Sequence, residues 1–468
     1  MSTLRGELLR KSVHVGMGGF ALSLRWLTPL QAAGLAVTAL LFNLFVLHRL
    51  TRRALLRDDE RESGYSVGIV IYPAVVLVLI AVFRNRMELA AACWGLLAVG
   101  DGMATVFGVL AGGAKLPWNP QKSWAGFFSF VFWGTAAAAF LLRWTQQAAT
   151  DGTPAMDSVG LSFLIAGGEV ERFVFLLGGC FVTALAAAFA ESLATGIDDN
   201  ILVPLVGGGV LYAATLIQPE ILIARADSLL VALAWGAAVN ALLAGLAYAA
   251  RSVSVSGAVG GWILGTALYT FGGWRGFLML ALFFVLGTVT TKMGYRKKAD
   301  LGIAQEKGGR RGVKNAVANT LTGVVFAVLF AATAYPEIFA AALVAAFATA
   351  VCDTVSSEIG QAYGRTHVLI TNLKRVPAGT DGAVSLEGTL AGLAASVVLS
   401  AVAWQVGLVS LPVAAIAAAA GFAGATIESY LGATVERLDM LDNELVNFAN
   451  TMIGALIALL STWAYVSS

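Results

Sequence analysis

About fifteen long apolar stretches follow one another along this sequence, separated by short polar segments. A helix needs ~20 mostly apolar residues to cross a bilayer, and only helices and closed barrels satisfy their own backbone hydrogen bonds there. Because the stretches are continuous rather than alternating, they indicate helices and not strands. We therefore predict an all-α polytopic membrane protein with about 15 transmembrane helices.

The composition excludes several other classes of protein. Hydrophobic residues make up 58% of the chain and charged residues 12%, whereas charged residues form ~25% of a typical soluble domain. This excludes a disordered chain and argues against a soluble enzyme. The net charge of +2 gives no basis for a nucleic-acid partner, so the expected partner is the lipid bilayer. Because further apolar stretches follow the first one directly, we expect no cleaved signal peptide.

The distribution of lysine and arginine predicts the orientation. If the N-terminus is cytoplasmic and each stretch crosses once, most of the 30 basic residues fall on the cytoplasmic side. This is the distribution that the positive-inside rule requires. We therefore expect a protein of the cell inner membrane with a cytoplasmic N-terminus.

An internal repeat relates two parts of the chain. In both parts a carboxylate, a hydroxyl and two glycines recur at offsets i, i+4, i+7 and i+11, which lie on one face of a helix. The two sets are Asp101, Thr105, Gly108 and Gly112, and Asp353, Ser357, Gly360 and Gly364. Three further pairs follow in the same order: residues 123–126 with 385–388, 191–192 with 428–429, and 199–203 with 442–446.

The order of these pairs predicts two parallel-related halves, because the matched stretches cross the membrane in the same direction. The predicted domains are residues 1–222 and 223–468. The alternative is a chance recurrence of small residues, which Gly- and Ala-rich helices need for close packing.

Acidic residues in or beside the predicted spans are the candidates for chemistry, because an ionisable group in a bilayer is costly and often functional. All are expected at cytoplasmic ends of spans, beside basic and glycine-rich segments. They are Asp101, Glu191, Asp198 and Asp199 in the first half and Asp353, Glu358, Glu428 and Asp442 in the second. Carboxylates next to lysine and arginine suit a complex of Mg²⁺ with a nucleoside triphosphate. The alternative for each carboxylate is a structural role as a helix cap or ion pair.

Three segments of the first half resemble the membrane kinases of isoprenoid alcohols, namely the phytol, farnesol and dolichol kinases, which are related to phosphatidate cytidylyltransferases. The segments are Arg-Lys-Ser-Val-His at 10–14, Gly-Asp-Gly-Met-Ala at 100–104 with Gly108, and Lys-Ser-Trp-Ala-Gly at 122–126. That family usually has an acidic residue before the glycine of the last segment, where this chain has Ala125.

The second half, from about residue 253, resembles the phytyl-phosphate kinase family of membrane proteins. The matching segments are residues 311–319, 353–360 and 377–389. Together the two resemblances imply a bifunctional salvage kinase. It would convert a prenyl alcohol of the phytol, geranylgeraniol or farnesol type to its monophosphate and then to its diphosphate. The implied cofactors are Mg²⁺ and a nucleoside triphosphate, typically CTP in the first family.

The resemblances imply a role for each candidate residue. In the first half we expect His14 and Asp101 to be catalytic and Asp101 and Glu191 to bind metal. Substrate or nucleotide would be bound there by Arg10, Lys11, Lys115, Lys122 and Ser123. In the second half we expect Asp353 to be catalytic and Asp353, Glu358 and Glu428 to bind metal. Substrate or nucleotide would be bound there by Arg311, Lys314, Asn315, Asn319, Gly379, Thr380, Asp381, Ser385 and Glu387.

Two other functions fit parts of the pattern. Nucleotidyl transfer would use the same metal and nucleotide to form a CDP-lipid, which retains the cytidine. A transporter with parallel repeats would also contain many spans and carboxylates within them. Transporter sites usually lie near the bilayer midplane, whereas the carboxylates here are expected at one membrane face.

Overall fold

The computed structural model describes residues 2–47, 67–149, 169–193, 195–303, 312–434 and 443–468. The chain is mostly helical and forms two compact units, Met1–Ile217 and Gln218–Ser468. The boundary predicted from the sequence lies between residues 222 and 223, close to this division. Each unit is described by itself.

The first unit consists of α-helices and one short β-hairpin. In chain order its helices are α1 (Ser2–Met17), α2 (Pro29–Phe42), α3 (Val67–Val82), α4 (Met87–Gly95), α5 (Gly102–Leu110), α6 (Trp124–Ala149), α7 (Glu169–Ser192) and α8 (Asp199–Leu216). Strands β1 (Lys115–Leu116) and β2 (Asn119–Ser123) form the antiparallel hairpin. A 3-10 segment, Gly18–Arg25, follows α1, and the π-helical segments Asn43–Leu47 and Leu96–Asp101 follow α2 and α4.

The second unit also consists of α-helices and one short β-hairpin. Its helices are α9 (Pro219–Ala224), α10 (Ala226–Ala249), α11 (Val255–Lys292), α12 (Tyr295–Asp300), α13 (Val313–Ala332), α14 (Pro336–Tyr363), α15 (Leu386–Gln405), α16 (Leu411–Thr434) and α17 (Asn443–Ser467). Strands β3 (Val368–Leu369) and β4 (Ala383–Val384) form an antiparallel hairpin between α14 and α15.

Twelve helices in the described residues are long and apolar enough to cross a membrane, fewer than the 15 or so predicted. The first predicted stretch folds as the end of α1 and a 3-10 segment, and α3 is shorter than the twelve. Helix α11 is counted once although it has 38 residues, or ~57 Å against a hydrocarbon core of ~30 Å. Gly273, with φ 63°, interrupts α11 between two stretches that the sequence predicts as separate spans.

The helices that carry the two repeated aspartates are deeply buried within their units. Residues 89–98 in the first unit and 339–352 in the second are buried without exception. Most are Ala, Leu or Val, and the small alanines let neighbouring helices approach closely where no hydrophobic effect drives them together. Asp101 and Asp353 follow these buried stretches directly, so both carboxylates lie inside helical packing rather than on a loop.

Candidate functional site

Three carboxylates of the first unit converge on one place. One oxygen each of Asp101, Glu191 and Asp199 lies within 4.8 Å of the other two. Asp101 ends the π-helical segment before α5, Glu191 is in the last turn of α7, and Asp199 begins α8. Asp101 is 2% exposed and Glu191 4%, so these two carboxylates are almost completely removed from solvent.

Two lysines and a histidine surround this carboxylate cluster. Lys11 Nζ donates to Asp101 Oδ2 at 2.7 Å. His14 lies one turn further along α1, where Nε2 donates to the Leu97 carbonyl at 2.9 Å and lies 3.4 Å from Asp101 Oδ2. Lys122 forms a short ion pair with Glu191 and donates to Asp199 Oδ2 at 3.3 Å. The structure therefore places Lys11, His14 and Lys122 next to the carboxylate cluster.

The donor set fits a divalent cation of the Mg²⁺ class. The Asp101 Oδ1 atom is buried and has no hydrogen-bond partner in the described part of the chain. A buried carboxylate oxygen left in that state is costly, and a bound cation is a natural partner for it. Mg²⁺ prefers carboxylate oxygens and keeps other positions for water and phosphate. Asp101, Glu191 and Asp199 can supply such ligands.

The charge of Lys122 is stabilised by the same carboxylates. Burial by itself would lower the pKa of Lys122, but Glu191 and Asp199 outweigh burial and raise that pKa above its ordinary value. The lysine therefore stays cationic at neutral pH, and its charge offsets part of the negative charge of the cluster.

The β1–β2 hairpin fixes Lys122 beside the cluster. Trp118 Nε1 donates to Ser192 Oγ at 3.0 Å, and Asn119 Nδ2 donates to the Ser192 carbonyl at 3.1 Å. These bonds tie the hairpin to the end of α7, next to Glu191. Ser123 Oγ accepts from the Gly126 amide at 3.2 Å and so caps α6. Lys115 is exposed on the hairpin and donates to the Gln121 carbonyl at 3.5 Å.

The second unit pairs the two carboxylates that the repeat predicts. Asp353 on α14 and Glu428 on α16 each lie one helical turn beyond the close contact of Thr349 with Gly424, so the two carboxylates are on facing sides of these helices. Two carboxylates on facing sides of neighbouring helices repel each other, and a cation between them would offset that repulsion. Asp442, the proposed counterpart of Asp199, and Arg311 lie outside the described residues.

Glu358 has a different environment from the other acidic candidates. Thr291 Oγ1 donates to Glu358 Oε1 at 2.9 Å, and Lys298 forms a short ion pair with Oε2. Lys298 is 1% exposed and also donates to the Thr291 carbonyl at 3.0 Å. Both Glu358 oxygens are thus engaged by protein groups, which favours the structural ion pair that the sequence left open over a role as metal ligand.

The loop around residues 377–385 lies at the end of α16. A side chain at Gly382, where φ is 72°, would come within 2.6 Å of the Ser429 carbonyl. Thr380 Oγ1 bonds within the loop to the Pro377 carbonyl at 2.9 Å. The loop therefore passes one residue beyond Glu428, and it carries Gly379, Thr380 and Asp381. Glu387 is in the first turn of α15, 3.9 Å from Arg365.

The remaining candidates of the second unit lie at the beginning of α13. Lys314 is exposed, whereas Asn319 is buried and donates Nδ2 to the Asn315 carbonyl at 3.0 Å. Because α13 and α14 follow one another through a short turn, the start of α13 is at the same end as the Asp353 half of α14. The structure thus places Lys314, Asn315 and Asn319 towards that end.

A helix crossing is repeated in the two units. A Cβ at Gly108 would lie 3.3 Å from Ser123 Oγ and 3.6 Å from Gly126 Cα. A Cβ at Gly360 would lie 2.9 Å from Ser385 Oγ and 3.7 Å from Gly388 Cα. Ser385 caps α15 through the Gly388 amide at 3.2 Å, as Ser123 caps α6. The matched residues therefore have matched contacts, and the helices approach closely at both crossings.

The aspartates are further from the helix ends than expected. Helix α5 continues to Leu110, ~14 Å beyond Asp101, and α14 continues to Tyr363, ~15 Å beyond Asp353. Glu191 and Asp199 do lie at helix ends. The cluster is therefore built from the interior of one helix and the termini of two others.

Comparisons with known proteins place the chain among membrane proteins. A family model described as integral membrane protein DUF92 matches residues 238–455. An uncharacterized membrane protein of Synechocystis sp. is 38% identical over 201 residues, which cover 42% of this chain and 78% of the relative. Protein VTE6, chloroplastic, of Arabidopsis thaliana is 39% identical over 215 residues, covering 44% of this chain and 65% of the relative.

A second group of relatives carries an enzyme name. Probable phytol kinase 1, chloroplastic, of Oryza sativa subsp. japonica is 29% identical over 160 residues, which cover 33% of this chain and 45% of the relative. The match thus spans less than half of that relative's length. No solved structure matches the chain. The helical fold and the extent of the match to the Synechocystis protein lead to one conclusion: the chain belongs to the DUF92 family of integral membrane proteins.

Proposed function

We propose that this chain is a membrane phosphotransferase that converts a prenyl alcohol to its monophosphate and then to its diphosphate. The donor would be a nucleoside triphosphate, CTP in the first step, used with Mg²⁺. The observation that carries the proposal is the convergence of Asp101, Glu191 and Asp199 beside Lys11 and Lys122. The relatives named as probable phytol kinases support the kinase class.

The first-unit cluster would hold the metal and the phosphates. Asp101, Glu191 and Asp199 would bind Mg²⁺, which neutralises charge on a transferring phosphoryl group when bound. Lys122 and Lys11 would contact phosphate oxygens as point charges. Both lysines already lie within hydrogen-bond distance of the carboxylates, so a small change of side-chain conformation would bring them to a phosphate at the cluster.

The acceptor alcohol would approach from the side of α1. In the transfer, a bond forms between the hydroxyl oxygen and the γ-phosphorus, the bond to the bridging oxygen breaks, and the hydroxyl proton leaves. His14 lies at the edge of the cluster, with Nε2 3.4 Å from Asp101 Oδ2. Because Nε2 donates to the Leu97 carbonyl, Nδ1 is the nitrogen that would accept the hydroxyl proton. Because phosphoryl transfer depends mostly on positioning and charge, we expect the contribution of His14 to be smaller than that of Asp101.

The prenyl tail would remain in lipid beside the first unit. Phe107 on α5 and Phe128 on α6 are 40% and 61% exposed at the surface of the first unit. Exposed aromatic side chains on a membrane protein face acyl chains and can contact an isoprenoid tail in the same way. We propose that both active sites face the cytoplasm of a cell inner membrane.

Product identification tests the proposal. The purified chain would be incubated in detergent or proteoliposomes with Mg²⁺, γ-labelled CTP and phytol or geranylgeraniol. We expect labelled prenyl monophosphate and diphosphate by mass spectrometry. Absence of any prenyl phosphate with CTP, ATP, GTP or UTP would overturn the proposal. A product that retains cytidine would identify a cytidylyltransferase instead, and solute uptake without nucleotide turnover would identify a transporter.

A matched pair of variants connects the activity to the cluster. Asp101→Asn removes a carboxylate charge from the cluster and should abolish monophosphate formation. Glu88→Gln removes a carboxylate from the same candidate span, where Glu88 pairs with Arg86 at 2.9 Å, and should leave most of the activity. Equal losses in the two variants would contradict the assignment of the cluster.

A further inference from the structure

Three helices of the second unit cross closely one turn before the paired carboxylates. Thr349 on α14 lies between two glycines, because a Cβ at Gly424 would be 3.0 Å from Thr349 Oγ1 and a Cβ at Gly454 would collide with that oxygen. The same Cβ at Gly424 would also lie 3.0 Å from the Asn450 backbone carbonyl oxygen. Helices α14, α16 and α17 therefore meet at the level of Thr349.

The next turn of each helix carries a polar side chain. Four residues after Thr349 is Asp353, and four residues after Gly424 is Glu428, so the helical repeat puts each on the same face as the crossing. Because α14 and α16 touch at Thr349 and Gly424, the two carboxylates one turn further on lie opposite each other. Helix α17 begins shortly after α16 ends and runs the opposite way, so the residue at the matching level is Asn450, four before Gly454.

Asn450 is unusual among the buried polar residues. It is 1% exposed, and in the described part of the chain neither its Oδ1 nor its Nδ2 has a hydrogen-bond partner. An amide buried among membrane helices without partners is costly. Because Gly454 faces Thr349 and lies one helical turn from Asn450, the amide is directed towards α14, where Asp353 is located.

We infer that Asp353, Glu428 and Asn450 form a second divalent-cation site, separate from the cluster of Asp101, Glu191 and Asp199. Two carboxylates and an amide oxygen are hard ligands of the kind that Mg²⁺ and Mn²⁺ bind, with positions left for phosphate oxygens and water. The cation would offset the repulsion between the carboxylates of Asp353 and Glu428. It would also supply the missing partner of Asn450 Oδ1.

The surroundings of this site indicate a phosphate-bearing ligand. The loop with Gly382 packs against Ser429, the neighbour of Glu428. On α13, Thr322 Oγ1 contacts Thr451 Oγ1 at 2.9 Å, which puts Asn319, one turn earlier, beside the start of α17. Asn315 and Asn319, together with Lys314, therefore lie on the part of α13 that precedes this contact with α17. The use of this site for the second phosphoryl transfer rests on the proposed function, whereas cation binding does not.

Mn²⁺ binding tests the site without any need for catalysis. The full chain in detergent would be titrated with Mn²⁺ alone and free ion followed by electron paramagnetic resonance. We expect two sites in the wild type and one in Asp101→Asn. In the Asp101→Asn background, Asn450→Leu should weaken the remaining site by at least about tenfold. Asn450→Asp, which restores an oxygen ligand, should keep it.

The control is a second buried asparagine in the same unit. Asn240 is 5% exposed, but its Nδ2 donates to the Gly236 carbonyl at 2.9 Å, so Asn240→Leu should leave Mn²⁺ binding unchanged. Unaltered binding in Asn450→Leu, or loss of both sites in Asp101→Asn, would overturn the inference. If Asn450→Leu does not fold, the Mn²⁺ affinities of Asn450→Asp and Asn450→Gln are compared instead. Asn450→Asp should bind Mn²⁺ more tightly, because its carboxylate stays at the ligand position whereas the longer glutamine displaces the amide. Kinase activity without a second Mn²⁺ site would refute this inference and leave the proposed function intact.

Discussion

The Lys122 ammonium lies 3.3 Å from Asp199 Oδ2 while it forms an ion pair with Glu191. A lysine thus neutralises the same carboxylates that we propose for Mg²⁺. Metal and lysine compete for these oxygens, and a phosphate that arrives with the metal offers the lysine a new partner. The two roles of Lys122 can be separated by experiment.

Lys122→Met should change metal binding and activity in opposite directions. Removal of the competing cation should tighten Mn²⁺ binding several-fold at the first site. Loss of a phosphate contact should reduce kcat for monophosphate formation by about 10²-fold or more. Mn²⁺ titration and a product assay measure the two effects. Arg84→Met removes an exposed cation of the same unit and should do neither. Weaker Mn²⁺ binding in Lys122→Met would contradict competition.

Asp101→Asn and Asp353→Asn should block different steps. With a prenyl alcohol as substrate, Asp101→Asn should form neither product, whereas Asp353→Asn should accumulate the monophosphate. With prenyl monophosphate supplied directly, Asp101→Asn should still form the diphosphate. Quantification of both phosphates over time by mass spectrometry distinguishes these cases. Accumulation of monophosphate in neither variant would indicate a single active site.

Gly388→Ala should destabilise the second unit. A Cβ at this position would collide with the Ser356 carbonyl and lie 3.0 Å from Gly360 Cα, so α14 and α15 would have to separate. Overpacking of this kind costs about 1–3 kcal/mol. Gly261→Ala, on α11 with nothing within 4 Å of the new methyl group, is the matched control and should be neutral or slightly stabilising. Thermal unfolding in detergent compares the two, and equal shifts in Tm would contradict the close crossing.

Lys298→Met should be more harmful than loss of the whole ion pair. The single change leaves Glu358 buried at 4% exposure without its cation, which typically costs about 3–5 kcal/mol. Lys298→Met combined with Glu358→Leu removes both charges and should recover much of that stability. A thermal unfolding series of the two single variants and the double variant measures the coupling. A double variant as unstable as the sum of the singles would exclude it.

Much of the first-unit site was accessible from the sequence. The residue pairs that matched in order include Asp101, Glu191 and Asp199, and the structure brings their oxygens together. The repeat also includes Asp353 and Glu428, which lie one turn beyond the close contact of α14 with α16. Local signals sufficed because each residue lies at a helix terminus or on a recognisable small-residue face.

Other parts of the site depended on packing that no local pattern encodes. The partner of Glu358 is Lys298, on a short helix 60 positions earlier. Asn450 has no acidic counterpart in the repeat, because the alignment of 199–203 with 442–446 pairs it with Gly207. What distinguishes Asn450 is its buried amide without a hydrogen-bond partner in the described residues.

The π-helical segment Leu96–Asp101 has a consequence for how one span serves two tasks. A π turn holds one residue more than regular α-helical spacing, so everything after it is rotated by roughly 100° relative to an uninterrupted helix. Residues 89–98 can therefore align with the packed interior, while the half that begins at Asp101 follows an independent alignment towards α7 and α8. The extra residue changes the direction in which the following side chains point. The buried half of this span can therefore pack against its neighbours without fixing the orientation of the Asp101 carboxylate.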